Sequence, residues 1–547
     1  MFGSKKEQSH PVTSSHNETV SSEKDSDHHD DTSKGWIVGG KYRDELSNEH
    51  VPDFDPSQLR EVEFDLPLTI TKPTTHEGKG FIVLEFVDGD KENPFNWNPK
   101  LKAFISLQLC AMTLFIGLAT TAYSAGISKM AVDIGTSVEL GELGLFTFNF
   151  VCALGPLFLA PFCELAGRRV VYVGAFGCFA IMFIALALGK NIGTMIVCRA
   201  LLGLFGCVGT ILVGGTFGDM YYPADRAHPM AFFSFIAIFG TVAAPIYAGF
   251  VVQAIGWRWL EGIQGMANIP LFILILFCLR ETRGSVCLSK RAKALRQATG
   301  DDRYVDVNEL EAPGIKEMLH NSSVKAIKML ATEPVVFALG IWISFAWFLT
   351  FLFLSVIPIT FQEKKGWGEG VSGLPYIALC LGTTIGWLAN YFQIKKYESI
   401  VNDPNRKVTP EDRLYGAMCG AYFLPVGLFI YSFTQYKQIH WMGPMVGLTL
   451  ISIGIFFIFE SVYSYTSDCY GDNASSAIAG QGFMRNTLGA VSPLFATQFF
   501  HNLGSQWAGL LLSCIATLLT FIPYILFKWG PTLRARSKLA SLIVDGN

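Results

Sequence analysis

Three sets of charged residues stand in apolar surroundings, where a charge needs a reason. Ala160-Pro-Phe-Cys-Glu164-Leu-Ala-Gly167-Arg168-Arg169 sets an acid and two arginines between two long apolar runs. A two-arginine turn between membrane spans is held on the cytoplasmic side, and Glu164 at the helix end can form an ion pair that opens and closes as helices rock. Arg199 stands alone inside another apolar run. A charge there costs several kcal/mol on most scales, so Arg199 is read as functional, with packing against backbone carbonyls as the bland alternative. Glu460, in Phe456-Phe-Ile-Phe-Glu460-Ser-Val-Tyr463-Ser-Tyr465, is an acid among aromatics. It suits attraction of a cationic substrate or exchange of a proton; the alternatives are an ion pair with Arg485 or a rotamer toward the interface.

The elements that must position these groups are membrane helices. Of 547 residues, 50% are hydrophobic, 13% aromatic and only 16% charged, the profile of an integral membrane protein. Charges fall in blocks separated by intervals of roughly 20 residues, long enough to cross a hydrocarbon core of about 30 Å. The intervals predict spans over 103–126, 142–165, 170–189, 192–216, 229–253 and 259–279, then 335–361, 372–393, 413–433, 441–466, 474–500 and 505–528. Lys129, Lys190, Arg258, Lys364, Lys365 and Lys437 fall on one side, and most loop Lys and Arg on the other, so both termini are expected to be cytoplasmic.

Residues 1–100 read as a cytoplasmic tail, largely disordered, with 1–60 too polar to fold alone. His28 and His29 beside acids fit a solvated tail better than a metal site, and no metal is expected. The sequons at Asn17, Asn321 and Asn473 fall on the predicted cytoplasmic side and are discounted. The cysteines lie nearly all inside spans and read as packing residues. A basic linker, 281–333, divides a six-helix bundle over 101–280 from a second over 334–528, with a cytoplasmic tail over 529–547. Two bundles around a site at the bilayer midplane are what an alternating-access carrier needs. Gly386-Trp-Leu-Ala-Asn390 with Lys395-Lys396 is a weak repeat of the Ala160–Arg169 segment.

From Asn93 to Ser537 the chain resembles the fungal twelve-span drug:proton antiporters of the major facilitator superfamily, the yeast multidrug and polyamine exporter branch. The resemblance rests on Asn93-Pro-Phe-Asn-Trp97, on Gly155-Pro-Leu-x-x-x-Pro161-x-x-Glu164-x-x-Gly167-Arg168-Arg169, and on Arg199-x-x-x-Gly203. Further matches are Gly240-Thr-Val-Ala-Ala244-Pro245-Ile-Tyr-Ala248-Gly249, Gly256-Trp257-Arg258-Trp259, Glu281-Thr282, and Ser475 through Arg485. Glu164 stands for the usual Asp, Ala160 for the usual leading Gly, and two glycines of the fifth-span motif are alanine. The resemblance implies an all-α polytopic fold of two six-helix bundles. It assigns Arg199 to proton coupling and Gly240, Ala244, Pro245 and Gly249 to antiport. Glu164, Arg168, Arg169 and Asp219 would form a charge cluster locking the outward-open state.

Among span residues, Glu460, Tyr463, Gln481, Asn149, Phe148, Trp347, Phe351 and Tyr123 are candidate substrate contacts, with Asn486 as a further donor. Together they suggest a broad apolar pocket with few polar anchors, better suited to amphipathic drugs or polyamine-like cations than to sugars. No nucleotide-binding loop, zinc helix or Gly-x-Ser-x-Gly elbow occurs, so a secondary transporter is expected, not an enzyme, without cofactor or nucleic-acid partner. The expected function is proton-driven export of a small organic compound across the plasma membrane by a monomer. The alternatives are a symporter importing an amino-sugar or similar nutrient, a carrier-like sensor, and a vacuolar location.

Overall fold

The computed structural model describes residues 36–38, 60–62, 69–76, 79–87, 89–222, 225–307, 309, 315–403, 405–406 and 408–537. The first bundle contains α1 (Pro99–Ile134), α2 (Val138–Ala166), α3 (Arg168–Ala187), α4 (Ile192–Met220), α5 (Ala227–Ile255) and α6 (Trp257–Cys278). Linker helices α7 (Gly284–Thr299) and α8 (Ile315–Thr332) follow. The second bundle contains α9 (Pro334–Lys364), α10 (Val371–Val401), α11 (Pro410–Thr434), α12 (Met442–Tyr470), α13 (Ala474–Leu503) and α14 (Ser505–Arg536).

Eleven of the twelve bundle helices are long and apolar enough to cross a membrane by themselves. The exception is α13, whose 30 residues include Gln481, Arg485 and Asn486, all buried against protein. The polar groups lie on a face turned to protein, while Leu488, Val491 and Phe495 are exposed on another, so the helix carries polar groups that a lipid-facing surface could not. Helix starts are set locally: the Asn98, Ser137 and Asn191 side chains each accept a backbone N–H in the first turn of α1, α2 and α4.

Within the first bundle α1 packs along α5, α2 along α4 and α3 along α6; in the second, α9 packs along α13, and α12 against both α10 and α11. The apolar side chains of the bundles form two main cores, one drawn from 97–279 and one from 329–526 that takes in Ile238 and Val242 of α5, with Phe235, Phe239, Ala243 and Ile246 packed against it. Two cores mean two bodies that can move as units. They meet along α2 with α13 and along α5 with α10. The Gly386–Lys396 segment lies inside α10 with no turn, so it does not repeat the α2–α3 hairpin in shape.

The tail is more structured than its composition predicts. Residues 1–35 and most of 39–68 lie outside the described residues, including His28 and His29. Strands β1 (Trp36–Val38), β2 (Arg60–Val62), β3 (Thr69–His76) and β4 (Lys79–Phe86) form a sheet completed by β5 (Tyr304–Val305) of the linker, in the order β2-β1-β3-β4-β5. β3 and β4 are rich in Thr, Ile, Val and Phe and pair antiparallel from Thr69 with Phe86 to His76 with Lys79. Leu84 is fully buried against Leu288, Ala292 and Leu295 of α7, a core of four residues that neither segment could make alone. Arg291 of α7 locks it, reaching Asp90 at 2.6 Å and Glu92 at 2.8 Å with its guanidinium over the Phe86 ring. Removing one partner of a buried ion pair costs about 3–5 kcal/mol. Arg291→Ala is therefore expected to release the sheet, read as new protease cleavage between residues 60 and 98 with the bundles intact; an unchanged cleavage pattern refutes the lock.

Candidate functional site

A charge cluster gathers where the α2–α3 hairpin meets α4 and the start of the linker. Gly167 turns the chain with φ +95°, and a Cβ there would strike the Glu281 carboxylate, so only glycine fits. Glu281 Oε1 accepts the backbone N–H of Arg168 at 2.9 Å and of Arg283 at 2.9 Å, and Oε2 that of Arg169 at 3.1 Å. Its carboxylate sits at the N-terminus of α3, where the helix dipole favours negative charge. Asp219 at the end of α4 pairs with Arg168 Nε at 2.9 Å and Arg283 Nη1 at 3.0 Å.

Of the four residues assigned to the cluster, Arg168 and Asp219 are joined directly. Arg169 enters through its backbone, and its side chain reaches the Leu276 carbonyl at 3.3 Å. Glu164 is exposed and makes no ion pair or hydrogen bond among the described residues. Glu281 and Arg283 complete the cluster. Glu281-Thr282 was legible as a motif but not as a partner of the hairpin.

Glu164, Arg168 and Asp219 line a cavity of about 410 Å³ between the two halves, faced by Tyr463, Ser467 and Ala474–Ser476 of the second bundle. The cavity lies on the linker side. Above it, toward the middle of the bundles, a nearly filled chamber of about 30 Å³ is lined by Phe148, Asn149, Thr241, Trp347, Phe351, Phe459, Arg485 and Asn486. Asn149, Cys152, Pro156, Ala160 and Glu164 recur every three or four residues, so one face of α2 runs from chamber to cavity mouth. Thr113 Oγ1 donates to the Gly209 carbonyl at 2.5 Å, where the α4 backbone widens beside the chamber.

Arg485 is the charged group at the chamber. It donates to the Tyr463 hydroxyl at 2.5 Å and to Asn486 Oδ1 at 3.3 Å, and its guanidinium lies 5.0 Å from the Trp347 ring and 5.3 Å from Phe459. No carboxylate pairs with it among the described residues. Phe148, Asn149, Trp347, Phe351 and Tyr463 thus line the chamber or cavity.

Three other candidates do not. Gln481 is taken up by the Val336 carbonyl and the Thr466 hydroxyl, a packing contact between helices. Tyr123 is buried inside the first bundle under the Arg199 guanidinium, 4.4 Å from its ring. Glu460 lines neither space: its Oε1 accepts from Ser464 Oγ at 3.0 Å, Ser234 and Arg413 lie within its reach, and among the described residues it forms no ion pair with Arg485. In an all-apolar helix, adjacent positions 459 and 460 face different surroundings, and the sequence does not say which faces inward.

Arg199 has no exposed surface. It donates to the carbonyls of Gly144 at 3.4 Å, Ala119 at 3.1 Å and Thr120 at 2.9 Å, between the rings of Tyr123 and Phe148. The carbonyl contacts are those of the bland alternative. The acid within its electrostatic reach is Glu261 of α6, a residue absent from the sequence reading.

On the side away from the linker the halves are in contact. Gly249 of α5 lies against the Glu369 carbonyl and Gly373 against that of Pro245, so close that a Cβ on either would clash. Gly370 N–H donates to Gln253 Oε1 at 3.0 Å, and Lys129 pairs with Glu369 at 2.9 Å. Gly240 and Ala244 instead face the first bundle, Gly240 against Leu114 of α1. The small-residue motif of α5 therefore packs inward at one end and seals the two halves at the other.

A space that opens between two bundles on one side and is sealed on the other is the geometry of a carrier, and the comparisons agree. The model of the Major Facilitator Superfamily matches residues 109–493. A major facilitator superfamily multidrug transporter of Candida albicans is 33% identical over 462 residues, 83% of this chain and 75% of that protein. Polyamine transporter 3 of Saccharomyces cerevisiae is 30% identical over 499 residues, 91% of this chain and 76% of its own. A multidrug transporter of Candida glabrata is 31% identical over 460 residues, 84% and 73% of the two chains. The chain belongs to the major facilitator superfamily, among fungal relatives named multidrug and polyamine transporters, and is a multi-pass membrane transporter, not an enzyme.

Proposed function

We propose that this protein exports small amphipathic organic compounds by alternating access in exchange for protons, as a monomer in the plasma membrane with both termini cytoplasmic. The observation that carries the reading is the aromatic chamber between the two halves, with the linker-side cavity further along the same face of α2. Its walls offer broad ring surface and few polar anchors, which suits drug-like molecules. The names of the relatives support the same class. Arg199, buried in the first bundle, and the α5 motif at the seal are assigned to coupling and to the closing of the far side.

The charge of the cargo divides into two readings. Glu460, a buried carboxyl without an ion pair among the described residues, favours a cation. Arg485, at the chamber itself without an acid, favours an acceptor-bearing or anionic compound. The test is flux from proteoliposomes under an imposed pH gradient, with ethidium as the aromatic cation and a sulfonated naphthalene dye as the anion. Gradient-driven ethidium export, lost in Glu460→Gln, supports the cation reading. Export of the anionic dye, lost in Arg485→Gln, supports the other. Movement of either dye down the proton gradient's own direction refutes antiport in favour of symport.

A further inference from the structure

The first bundle contains a row of polar side chains that the cavity and chamber do not use. Glu261, Gln264 and Asn268 of α6 follow one another at three and four residues, so they stack along one face of the helix. They are 2%, 5% and 1% exposed. Among the described residues, Glu261 Oε2, both side-chain amide atoms of Gln264 and Asn268 Oδ1 have no hydrogen-bond partner. Buried polar groups in proteins are nearly always satisfied, and in a membrane span an unsatisfied row marks a path for an ion or proton.

The titratable and charged groups facing Glu261 from other helices come from α1, α4 and α5. Arg199 of α4 lies within electrostatic reach, while its donors are engaged by carbonyls of α1 and α2. Tyr123 of α1 and Tyr247 of α5 lie in its field. From α3 the neighbour is Phe183, packed on Gly265. Arg258, one turn nearer the far end of α6, is engaged by Asp133 at 2.7 Å. Glu261 therefore sits about one turn inside the end of the bundle opposite the linker, with one cation in reach that does not hold it.

We propose that Glu261 is the proton-binding carboxyl of the transport cycle and Arg199 the positioning residue that reads its charge. This rests on the antiport reading above. A proton arriving from the far side binds a carboxylate oxygen of Glu261 and leaves the acid neutral, and Arg199 keeps its carbonyls on α1. Loss of that proton restores the carboxylate, which draws the guanidinium away from Ala119 and Thr120. The pull acts on α1, which packs along α5, and the far end of α5 forms the seal against Glu369–Gly373. Gln264 and Asn268 line the route onward.

The test uses the reconstituted full chain and two readouts. Infrared difference spectra between alkaline and acid buffer need no transport. The expected result is a protonated-carboxyl band in the wild type that disappears in Glu261→Gln, persists in Glu460→Gln and returns, shifted, in Glu261→Asp; a band surviving Glu261→Gln overturns the proposal. In ethidium flux, Glu261→Gln should lose the response to a pH gradient by roughly tenfold, within the usual range for coupling between two sites. A Glu261→Gln variant still driven by the gradient as the wild type is overturns the proposal and leaves antiport standing. A wild type indifferent to the gradient overturns antiport, and the infrared result then judges the carboxyl alone. Arg199→Lys, which keeps the charge without the fork, should shift the band, and an unmoved band overturns the role given to Arg199.

Discussion

Replacing Arg199 by alanine should abolish gradient-driven export, a loss on the order of 100-fold at the upper end of site-to-site coupling energies. The side chain spans three helices, donating from α4 to Gly144 of α2 and to Ala119 and Thr120 of α1. Hydrogen bonds from a charged donor contribute about 1.5–3 kcal/mol each, so alanine also loosens the bundle. Lysine separates the two effects. It preserves the charge in the field of Glu261 but cannot reach three carbonyls in fixed directions. Flux that recovers in Arg199→Lys while thermal stability does not would show charge to be the coupling property. Equal loss in both variants would show it to be the fork. Export at the wild-type level in Arg199→Ala would remove Arg199 from the mechanism.

Asp219→Asn should be strongly destabilising on the linker side. Asp219 is the shared acceptor of Arg168 and Arg283, and its side chain is 14% exposed. Taking one partner from a buried ion pair costs about 3–5 kcal/mol, because the remaining charges are left facing each other. The measurement is thermal unfolding in detergent, compared with Arg168→Gln, Arg283→Gln and the double variants. Strong non-additivity is expected, since the three residues form one network. Glu164→Gln supplies the contrast. Exposed and unpartnered in this state, it should change stability by no more than about 0.5 kcal/mol. A large effect there would mean that Glu164 is paired in solution.

The helix layout was readable because membrane spans are defined by length and lack of charge, both linear properties. Arg199 and the Arg168 hairpin stood out for the same reason: a charge in an apolar run is visible without a structure. Direction was not readable. Helices apolar on all sides carry no periodic signal for the inward face, so Glu460 was expected at the pocket that Arg485 occupies. Glu261 was not legible because it lies three residues from Arg258 and four from Trp257, near a span end where an acid reads as reaching for water. Glu281 and Arg283 were hidden by distance along the chain, since their partners are over sixty residues away. The sheet was missed because the tail's composition is dominated by residues before 60, and β4 finds its core only on a linker helix.

That last contact bears on how the protein is made. Arg291 holds Glu92 across 199 residues of sequence, and every one of the first six spans lies between them. Ribosomes add about 5–20 residues per second, so β4 waits some ten to forty seconds for its partner. During that interval the translocon must thread six helices while Leu84 and Phe86 remain uncovered. Closure of the sheet becomes possible only once the first bundle is complete and the linker has emerged. The docked tail therefore records, before the second bundle is synthesised, that the first has been inserted.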